Sequence, residues 1–480
     1  MMRTKVWAFL AASSLLVLGG CVSTTEISGY SDPKAGFSTV RAKAASATGK
    51  DTVWIRSRAE ADATAARVRG LVGKKTINAD TAVQVALLNN RGLQAAYADL
   101  GISAADAWQE TMLVNPRLSV SGSALGAPNR SFDGAIIANI MALATQRRRV
   151  DIAADRFRAA QLRAAEETLR VAADTRRAWI DAASAWERVA YLNKAKTAAD
   201  AASELAEQLG ESGALPKAGQ VREHAFYAEL TGQIAKARLE ARLAKEELTR
   251  QMGVWGQDLD YSVPNALPPL PKRIKGNSAI EAEALRNRVD LQMAKAELGA
   301  VAQSYGLTQA TRYLTDLEVT GGVGVEREER KNLASGIAEA EFQIPIFDSG
   351  KARLRKAELE YMRAANILAQ KAVNIRSEAR SAEERYSSSY RIARHYRDNV
   401  LPLRTTVEEQ SLLTYNGMIT NTFELLADIR AKVDANLLAI DAKRAFWLAD
   451  VGRTAAVYGG GSGAGETEEA SSQDIAAAAD

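Results

Sequence analysis

Two long stretches almost free of helix-breaking residues constrain this sequence more than any other feature. Residues 147–209 contain neither Gly nor Pro, and residues 351–414 contain one Pro, Pro402. Both are rich in helix-forming residues, and a helix over either would be about 95 Å long at 1.5 Å per residue. Since globular helices usually have about 8–20 residues, this length indicates coiled-coil or tubular packing.

Each long helix is followed by a turn and a returning helix. The first turn covers residues 210–216 and the return 217–252, whereas the second turn covers 415–419 and the return 420–451. Both turns contain Gly, which suits the left-handed backbone of a helix reversal. The sequence therefore predicts two long helical hairpins, with a kink or a change of helix partner at Pro402.

Four short segments have the composition of β-strands. Apolar residues alternate with polar or small ones in residues 118–124, 317–325 and 338–344, and the alternation is poorer in residues 134–143. Glu339 and Glu341 fall on the polar face. Such a sheet suits a membrane barrel with lipid outside and water inside, or a soluble sheet with one wet face. A barrel needs about eight strands or more, so other copies of the chain would have to complete it.

The strands and hairpins belong to a tandem repeat. Residues 86–101 match residues 284–299 at an offset of about 198, and each half reads short helix, strand, turn, strand, long helix, turn, return helix. We expect the first repeat at 76–262, a Pro-rich linker at 263–276, the second repeat at 277–458 and a disordered tail at 459–480. The first short helix is predicted over residues 76–112, with Asp80 as its N-cap. The fold class is mainly α with a small β part.

The N-terminus has the features of a lipoprotein signal. Arg3 and Lys5 precede an apolar run at residues 6–18, and small residues lead to the single cysteine, Cys21. This resembles a bacterial lipobox, which implies a signal peptide at 1–20 and lipidation of Cys21 with palmitate-class chains; a plain secretory signal is the alternative. Val22 after the cysteine favours the outer membrane. Residues 21–75 are then expected to be a lipid-anchored tether and partial cover.

Composition excludes most other classes of function. Lys and Arg number 62 against 58 Asp and Glu, so no basic surface for nucleic acid is expected. One Cys and two His argue against disulfides, metal clusters and Cys/His nucleophiles. We predict no enzyme, no metal and no cofactor beyond the lipid on Cys21. His224 and His395 are expected to be surface residues.

Several motifs resemble the TolC family of outer-membrane efflux ducts, in its lipoprotein branch. The most specific are ALLNNRGLQ at residues 86–94, NPRL at 115–118, IPIFDSG at 344–350 and YNGM at 415–418. With FELL at 423–426, the last is similar to members from copper or other heavy-metal resistance systems. The resemblance covers nearly the whole mature chain.

This resemblance implies a homotrimer whose strands close one transmembrane barrel of twelve strands above an α-helical tunnel. The pore would conduct passively, with an inner-membrane pump of the RND type and a periplasmic adaptor as partners. The adaptor would contact the tunnel-end turns, which comprise Gly210, Ser212, Gly213, Ala214 and Leu215 in the first hairpin, and Tyr415, Asn416, Gly417, Met418 and Ile419 in the second.

The resemblance also implies a ring of carboxylates that narrows the periplasmic end. Glu424 and Asp428 are the candidates because they lie four residues apart and so share one helix face. A merely solvated face explains them equally well. Two alternatives to an efflux duct stay open: a type I duct that secretes polypeptides, and a structural coiled-coil lipoprotein without a pore.

Overall fold

The computed structural model describes residues 24–124, 130–211, 216–328, 331–416 and 422–461, and this part is mainly helical with one small antiparallel sheet. The predicted signal peptide, Cys21 and nearly all of the predicted tail lie outside these ranges. The helices are α1 (Thr24–Ser31), α2 (Phe37–Thr48), α3 (Arg58–Val72), α4 (Ala79–Asn89), α5 (Arg91–Thr111), α6 (Ile140–Glu211), α7 (Lys217–Met252), α8 (Ile280–Asn287), α9 (Val289–Ala310), α10 (Lys351–His395), α11 (Leu401–Asn416) and α12 (Thr422–Tyr458). The strands are β1 (Arg117–Ala124), β2 (Arg130–Asn139), β3 (Leu317–Glu328) and β4 (Lys331–Phe342).

The N-terminal segment is folded, which corrects the expectation of a tether. It forms α1, α2 and α3, and the Ser57 hydroxyl caps α3 by accepting the Glu60 N–H. Trp54, in the segment that connects α2 to α3, is buried, and so are the smaller side chains of Ala44 and Val68. The segment looked like a tether because small side chains bury little area yet allow close packing.

The first short helix is divided in two at Asn90. Its side-chain oxygen accepts the Leu93 N–H at the start of α5, and its amide donates to the Gln251 carbonyl at 2.9 Å. Asn89 donates in the same way to the Gly253 carbonyl at 2.6 Å. The paired asparagines of the repeated motif therefore fix the α4–α5 corner to the end of α7.

The cap of α4 is Asn78, so the prediction of Asp80 was wrong. The Asn78 side chain accepts the Thr81 N–H at 2.8 Å. Asp80 lies in the first helical turn, where it pairs with Arg176. A carboxylate in the first turn favours a helix start as well, which is why the two positions are hard to distinguish from the sequence.

The predicted strands are present, but several of their bounds differ. Residues 140–143 begin α6 and do not extend β2, because the Asn139 side chain accepts the Ala142 N–H and caps the helix. Most of the charged stretch at residues 326–332, which lies between the predicted strand segments 317–325 and 338–344, is also strand, since β3 continues to Glu328 and β4 begins at Lys331.

The two long helices are confirmed. α6 has 72 residues, which corresponds to about 108 Å. α7 ends at Gly253, whose φ of 67° is left-handed. Between α10 and α11 the chain stays helical but forms a π-turn at Tyr396–Val400, immediately before Pro402. Because Pro402 has no N–H to donate to the preceding turn, the predicted disturbance takes this form.

The order of elements is the same in both halves of the chain, whereas the compact units cut across the two halves. One unit comprises Met1–Thr39, Ala98–Arg163 and Asp290–Lys371, and the other comprises Val40–Tyr97, Ala164–Val289 and Ala372–Asp480. Each unit therefore takes equivalent pieces from both repeats. The first contains the sheet, and the second contains both hairpin ends.

The core of the second unit is a layer of helices packed through small and aliphatic side chains. One buried cluster joins α3, α4, α6, α7 and α12 through Val68, Leu88, Trp179, Leu248 and Val451, among others. Another joins α6, α7 and α12 and includes Leu192, Leu230 and Val433. The return helix of the second hairpin thus packs on the first hairpin.

Within the described residues, no helix combines the length and apolar character that crossing a membrane requires.

Candidate functional site

The register of the sheet assigns its apolar side chains to one face. The strands follow the order β1-β2-β3-β4, and residues directly opposite in neighbouring strands share a face. Val120, for example, lies opposite Gly134, which lies opposite Val323. This apolar face carries Leu118, Val120, Phe132, Ile136, Val319, Val323, Val325 and Phe342, which are 40–74% exposed. An isolated chain in water would therefore leave a whole sheet face unburied.

The opposite face is polar and mostly acidic. It carries Ser119, Ser121, Ser123, Asp133, Glu318, Thr320, Glu326, Glu339 and Glu341, with Arg117 and Lys331 as cations and Ile137, Ile337 and Leu333 as apolar exceptions. Arg117 pairs with Glu318. The predicted position of Glu339 and Glu341 on the polar face is confirmed. An excess of carboxylates on one face favours cations over anions next to it.

Glycines show that side chains converge on the polar face. A Cβ at Gly322 would lie 2.7 Å from the Ala135 Cβ, and one at Gly324 would lie 2.8 Å from the Ser335 Oγ. On the apolar face, a Cβ at Gly134 or Gly321 would meet nothing within 4 Å. Crowding on one face and open space on the other are expected when a sheet curves, with the polar face concave.

The IPIFDSG motif forms a clamped exit from β4. Gly350 has a φ of 71°, and a Cβ there would lie 2.7 Å from the Arg312 carbonyl. The Asp348 carboxylate accepts the Gly350 N–H at 2.8 Å, and Arg312 Nε donates to the Ser349 carbonyl at 3.0 Å. These bonds join the end of β4 to the segment that enters β3 and leave Phe347 fully exposed.

The predicted adaptor-contact turns are only partly within the described residues. Gly210 lies in the last turn of α6, where an added Cβ would overlap the Gln220 side chain of α7. Tyr415 is half-buried in the last turn of α11, which ends at Asn416. Ser212, Gly213, Ala214 and Leu215, together with Gly417, Met418 and Ile419, lie outside the described residues, so this assignment stays a prediction.

The candidate gate residues begin α12. Glu424 is exposed in the first turn, and half-buried Asp428 lies one turn later on the same face. The Ser411 hydroxyl of α11 donates to the Asp428 carboxylate, and Lys432 pairs with Glu408 one turn further along. These contacts hold α11 against α12 within one chain, whereas a carboxylate ring would need further copies and stays a prediction.

Both histidines are exposed, as predicted. His224 Nδ1 lies 3.2 Å from the Ser203 hydroxyl, and His395 Nδ1 lies 3.1 Å from the Asn399 amide. In the part of the chain that the structure describes, no group of three or more His, Cys, Asp or Glu side chains is arranged to hold a metal ion.

The linker at residues 263–276 proves to be a bound strap, which the Pro-rich sequence did not predict. The Glu187 carboxylate accepts the Leu267 N–H at 2.7 Å and pairs with Lys443 at 3.0 Å. Tyr390 donates to the Pro271 carbonyl at 3.0 Å, and Trp447 donates to a neighbouring carbonyl of the strap. The strap thus ties α6, α10 and α12 together just before the π-turn.

Arg430 and Arg444 interrupt a series of apolar residues at heptad spacing in the sequence of α12, and both have clear partners. Arg430 lies 4.7 Å from the centre of the Phe226 ring, and Arg444 Nε donates to Asp181 at 2.6 Å. Both contacts join α12 to the first hairpin. The heptad pattern locates these two positions in the sequence but does not identify their partners.

Comparison with known proteins gives a consistent fold. No protein-family model and no curated protein matches the sequence. Among solved structures, CusC, described in terms of transmembrane channel formation, aligns with a TM-score of 0.69 at 16% identity over 79% of this chain and 92% of that one. The CmeC outer membrane channel of Campylobacter jejuni aligns with a TM-score of 0.68 at 17% identity, covering 80% of this chain and 86% of that one.

The outer membrane protein VceC of Vibrio cholerae also aligns, with a TM-score of 0.67 at 15% identity over 82% of this chain and 96% of that one. The shared features are the mostly helical architecture and the small antiparallel sheet. This chain therefore has the fold of the TolC-family outer-membrane efflux channels, which are not enzymes.

Proposed function

We propose that this chain is the outer-membrane duct of a tripartite efflux system. Small molecules or metal ions would pass through it passively from the periplasm to the exterior. Three copies of the four-stranded sheet would give a barrel of about twelve strands, continued by a helical tunnel. A periplasmic adaptor would engage the hairpin ends, and an inner-membrane pump of the RND type would supply the energy.

One observation carries this proposal: a single sheet has an exposed apolar face and a polar, acidic face. Lipid outside and water inside account for both faces at once. β1 and β4 are the edge strands of the sheet, and their unpaired backbone groups need partners in a membrane. Pairing β1 of one copy with β4 of the next would satisfy them and close the barrel.

Exposed apolar side chains at the strand exit support a membrane boundary there. Tyr313, Ile346 and Phe347 are 64%, 74% and 101% exposed. Aromatic residues are enriched where membrane barrels meet the lipid–water interface. We place the periplasmic edge of the bilayer at this end of the sheet.

The position of α1 supports lipid anchoring of Cys21. The Tyr30 ring packs on the Phe157 ring at 5.4 Å, and Phe157 lies about 26 Å along α6 from its start at Ile140. Residues 24–30 are helical and span about 10 Å, and the three residues from Cys21 would add at most about 10 Å, which gives a reach of about 20 Å. The difference matches a headgroup layer of about 5–8 Å, so a lipid on Cys21 could enter the inner leaflet.

Purification of the full chain in detergent and reconstitution into planar bilayers tests the proposal. We expect a trimer by native mass spectrometry and discrete channel conductance. A chain that stays monomeric and does not conduct would contradict the proposal, and a trimer without conductance would favour the coiled-coil lipoprotein. Labelling of Lys331 from outside intact cells should succeed, because the β3–β4 turn would face the exterior.

A further inference from the structure

We propose that Arg130 and Arg327 form a binding site for the phosphate headgroup of an anionic membrane lipid. The site lies on the apolar face, at the end of the sheet where β2 begins and β3 ends. The inference rests on the proposed function, because it requires this face to lie in a bilayer. It adds a specific lipid partner, and it places the outer-leaflet headgroups at the height of these two arginines.

The register brings the two guanidinium groups to one place. Arg130 of β2 lies directly opposite Arg327 of β3, and Arg327 lies directly opposite Asn332 of β4. Opposite residues in antiparallel strands have Cβ atoms about 4.5–5.5 Å apart and point to the same side. Like charges at this distance repel each other, so an anion between them would stabilise the arrangement.

The acidic neighbours of this pair point to the other face. Asp133 on β2 and Glu326 and Glu328 on β3 are the nearest carboxylates along the two strands, and all three belong to the polar face by the same register. Arg117, on the polar face, does pair with Glu318. Among the residues that the structure describes, no ion pair includes Arg130 or Arg327, which leaves both cations available to a ligand.

The height of the pair fits the headgroup level. The opposite end of the apolar face is the row of Leu317 and Phe342. Arg327 lies ten residues beyond Leu317, or about 34 Å along the strand. At a tilt of about 40°, this corresponds to about 26 Å along the membrane normal, close to the height of about 25 Å typical of an apolar barrel band.

The chemistry of the site selects a lipid phosphate and not a free one. Guanidinium groups bind phosphate through paired N–H donors. The next row of the apolar face contains Phe132 opposite Val325, both exposed, and an acyl chain can pack on them while the phosphate sits between the arginines. Free phosphate would gain only the first of these two contacts.

Native mass spectrometry of the full chain in detergent tests this inference with defined lipids. The probes are phosphatidic acid and the phosphate-free diacylglycerol with the same acyl chains. We expect the double variant R130S/R327S to bind phosphatidic acid about 25-fold more weakly than the wild type, at about fivefold per arginine. Diacylglycerol binding should not change. Equal phosphatidic acid binding by wild type and double variant would overturn the assignment.

Lys331→Ser is the matched control. Lys331 lies in the same hairpin but on the polar face, so its loss removes one positive charge and should leave phosphatidic acid binding unchanged. A loss as large as that of the double variant would mean that net charge alone attracts the lipid. Millimolar inorganic phosphate should fail to displace phosphatidic acid, and full displacement would reassign the site to free phosphate.

Conductance separates this inference from the proposed function. The double variant should form channels with wild-type conductance, because both arginines lie outside the polar face. If the wild type conducts but binds both lipids equally, only the lipid site is wrong. If the wild type never conducts, the proposed function fails, whatever lipids it binds.

Discussion

At the scale of single residues, Tyr97 shows how a buried polar group is satisfied among long helices. Its ring is fully buried, and its hydroxyl lies 2.7 Å from the Thr52 Oγ1 and 3.0 Å from the Thr168 Oγ1. Burial raises the pKa of the Tyr97 hydroxyl to about 12. The residue therefore links the N-terminal segment, α5 and α6 through one hydroxyl.

Tyr97→Phe should lower the free energy of unfolding by about 1–3 kcal/mol, because the buried Thr52 hydroxyl loses its partner. Since the pKa of Tyr97 is higher in the folded than in the unfolded chain, stability is lost as the pH rises above about 10. Between pH 10 and 11, the free energy of unfolding should therefore fall by about 1 kcal/mol less in the variant than in the wild type. Urea unfolding at both pH values measures this. Exposed Tyr313→Phe should behave as the wild type does.

Gly350 is the clearest case of a glycine required by backbone geometry. Gly350→Ala combines a positive φ with a contact to the Arg312 carbonyl, and should destabilise the chain by about 1–3 kcal/mol. Gly452→Ala is the control, because Gly452 is helical with nothing within 4 Å, and should stabilise by about 0.5–1 kcal/mol. Thermal unfolding in detergent compares them. If the two variants change the unfolding temperature equally, Gly350 does not need the conformational freedom of glycine.

At the scale of elements, the two faces of the sheet decide where a charge is tolerated. Val323→Arg places a cation in the middle of the apolar face, which costs about 2–4 kcal/mol in a membrane barrel. Thr320→Arg adds the same charge to the polar face, directly opposite Glu339. Only Val323→Arg should block insertion into the outer membrane, and fractionation of cell membranes measures this. If both variants assemble equally well, the apolar face does not contact lipid.

The hairpin ends are the elements proposed to meet the adaptor. Gly417→Trp should abolish pump-dependent resistance, because a large side chain at the turn obstructs a partner. Delivery of the variant protein to the outer membrane and its trimer formation should be unaffected. Membrane fractionation checks the first, and native mass spectrometry of the purified variant checks the second. Loss of the trimer would instead mean that the turn is needed only for the architecture.

The strap at residues 263–276 explains how two hairpins with few large side chains are held in place. Its contacts use carbonyls and N–H groups that prolines leave exposed, together with an aromatic cluster of Tyr386, Tyr390 and Phe446. Each contact is small, but they lie on three different helices. The strap therefore limits the movement of α6, α10 and α12 relative to one another.

At the scale of the whole molecule, ion selectivity tests the carboxylate gate. Replacing Glu424 and Asp428 together by Ala should reduce the preference for cations in reversal-potential measurements, since the ring would lose its negative charge. Glu409→Ala removes an exposed carboxylate from α11 of the same hairpin and should have a smaller effect. Unchanged selectivity in the double variant would remove both residues from the gate.

The sequence by itself determined the repeated order of elements, the two long hairpins and the two-faced strands. These features depend on periods of about 3.6 and 2 residues, which neighbouring positions along the chain set. Glu339, Glu341 and Pro402 could be interpreted in this way because their effects are local.

Only the tertiary structure decided which groups meet across long sequence distances. It capped the start of α6 with Asn139, divided α4 from α5 at Asn90, bound the strap through Glu187, and set Arg130 opposite Arg327. Many side chains along the chain can make such contacts equally well. Which of them does so depends on the element that packs beside it, and a local pattern carries no information about that neighbour.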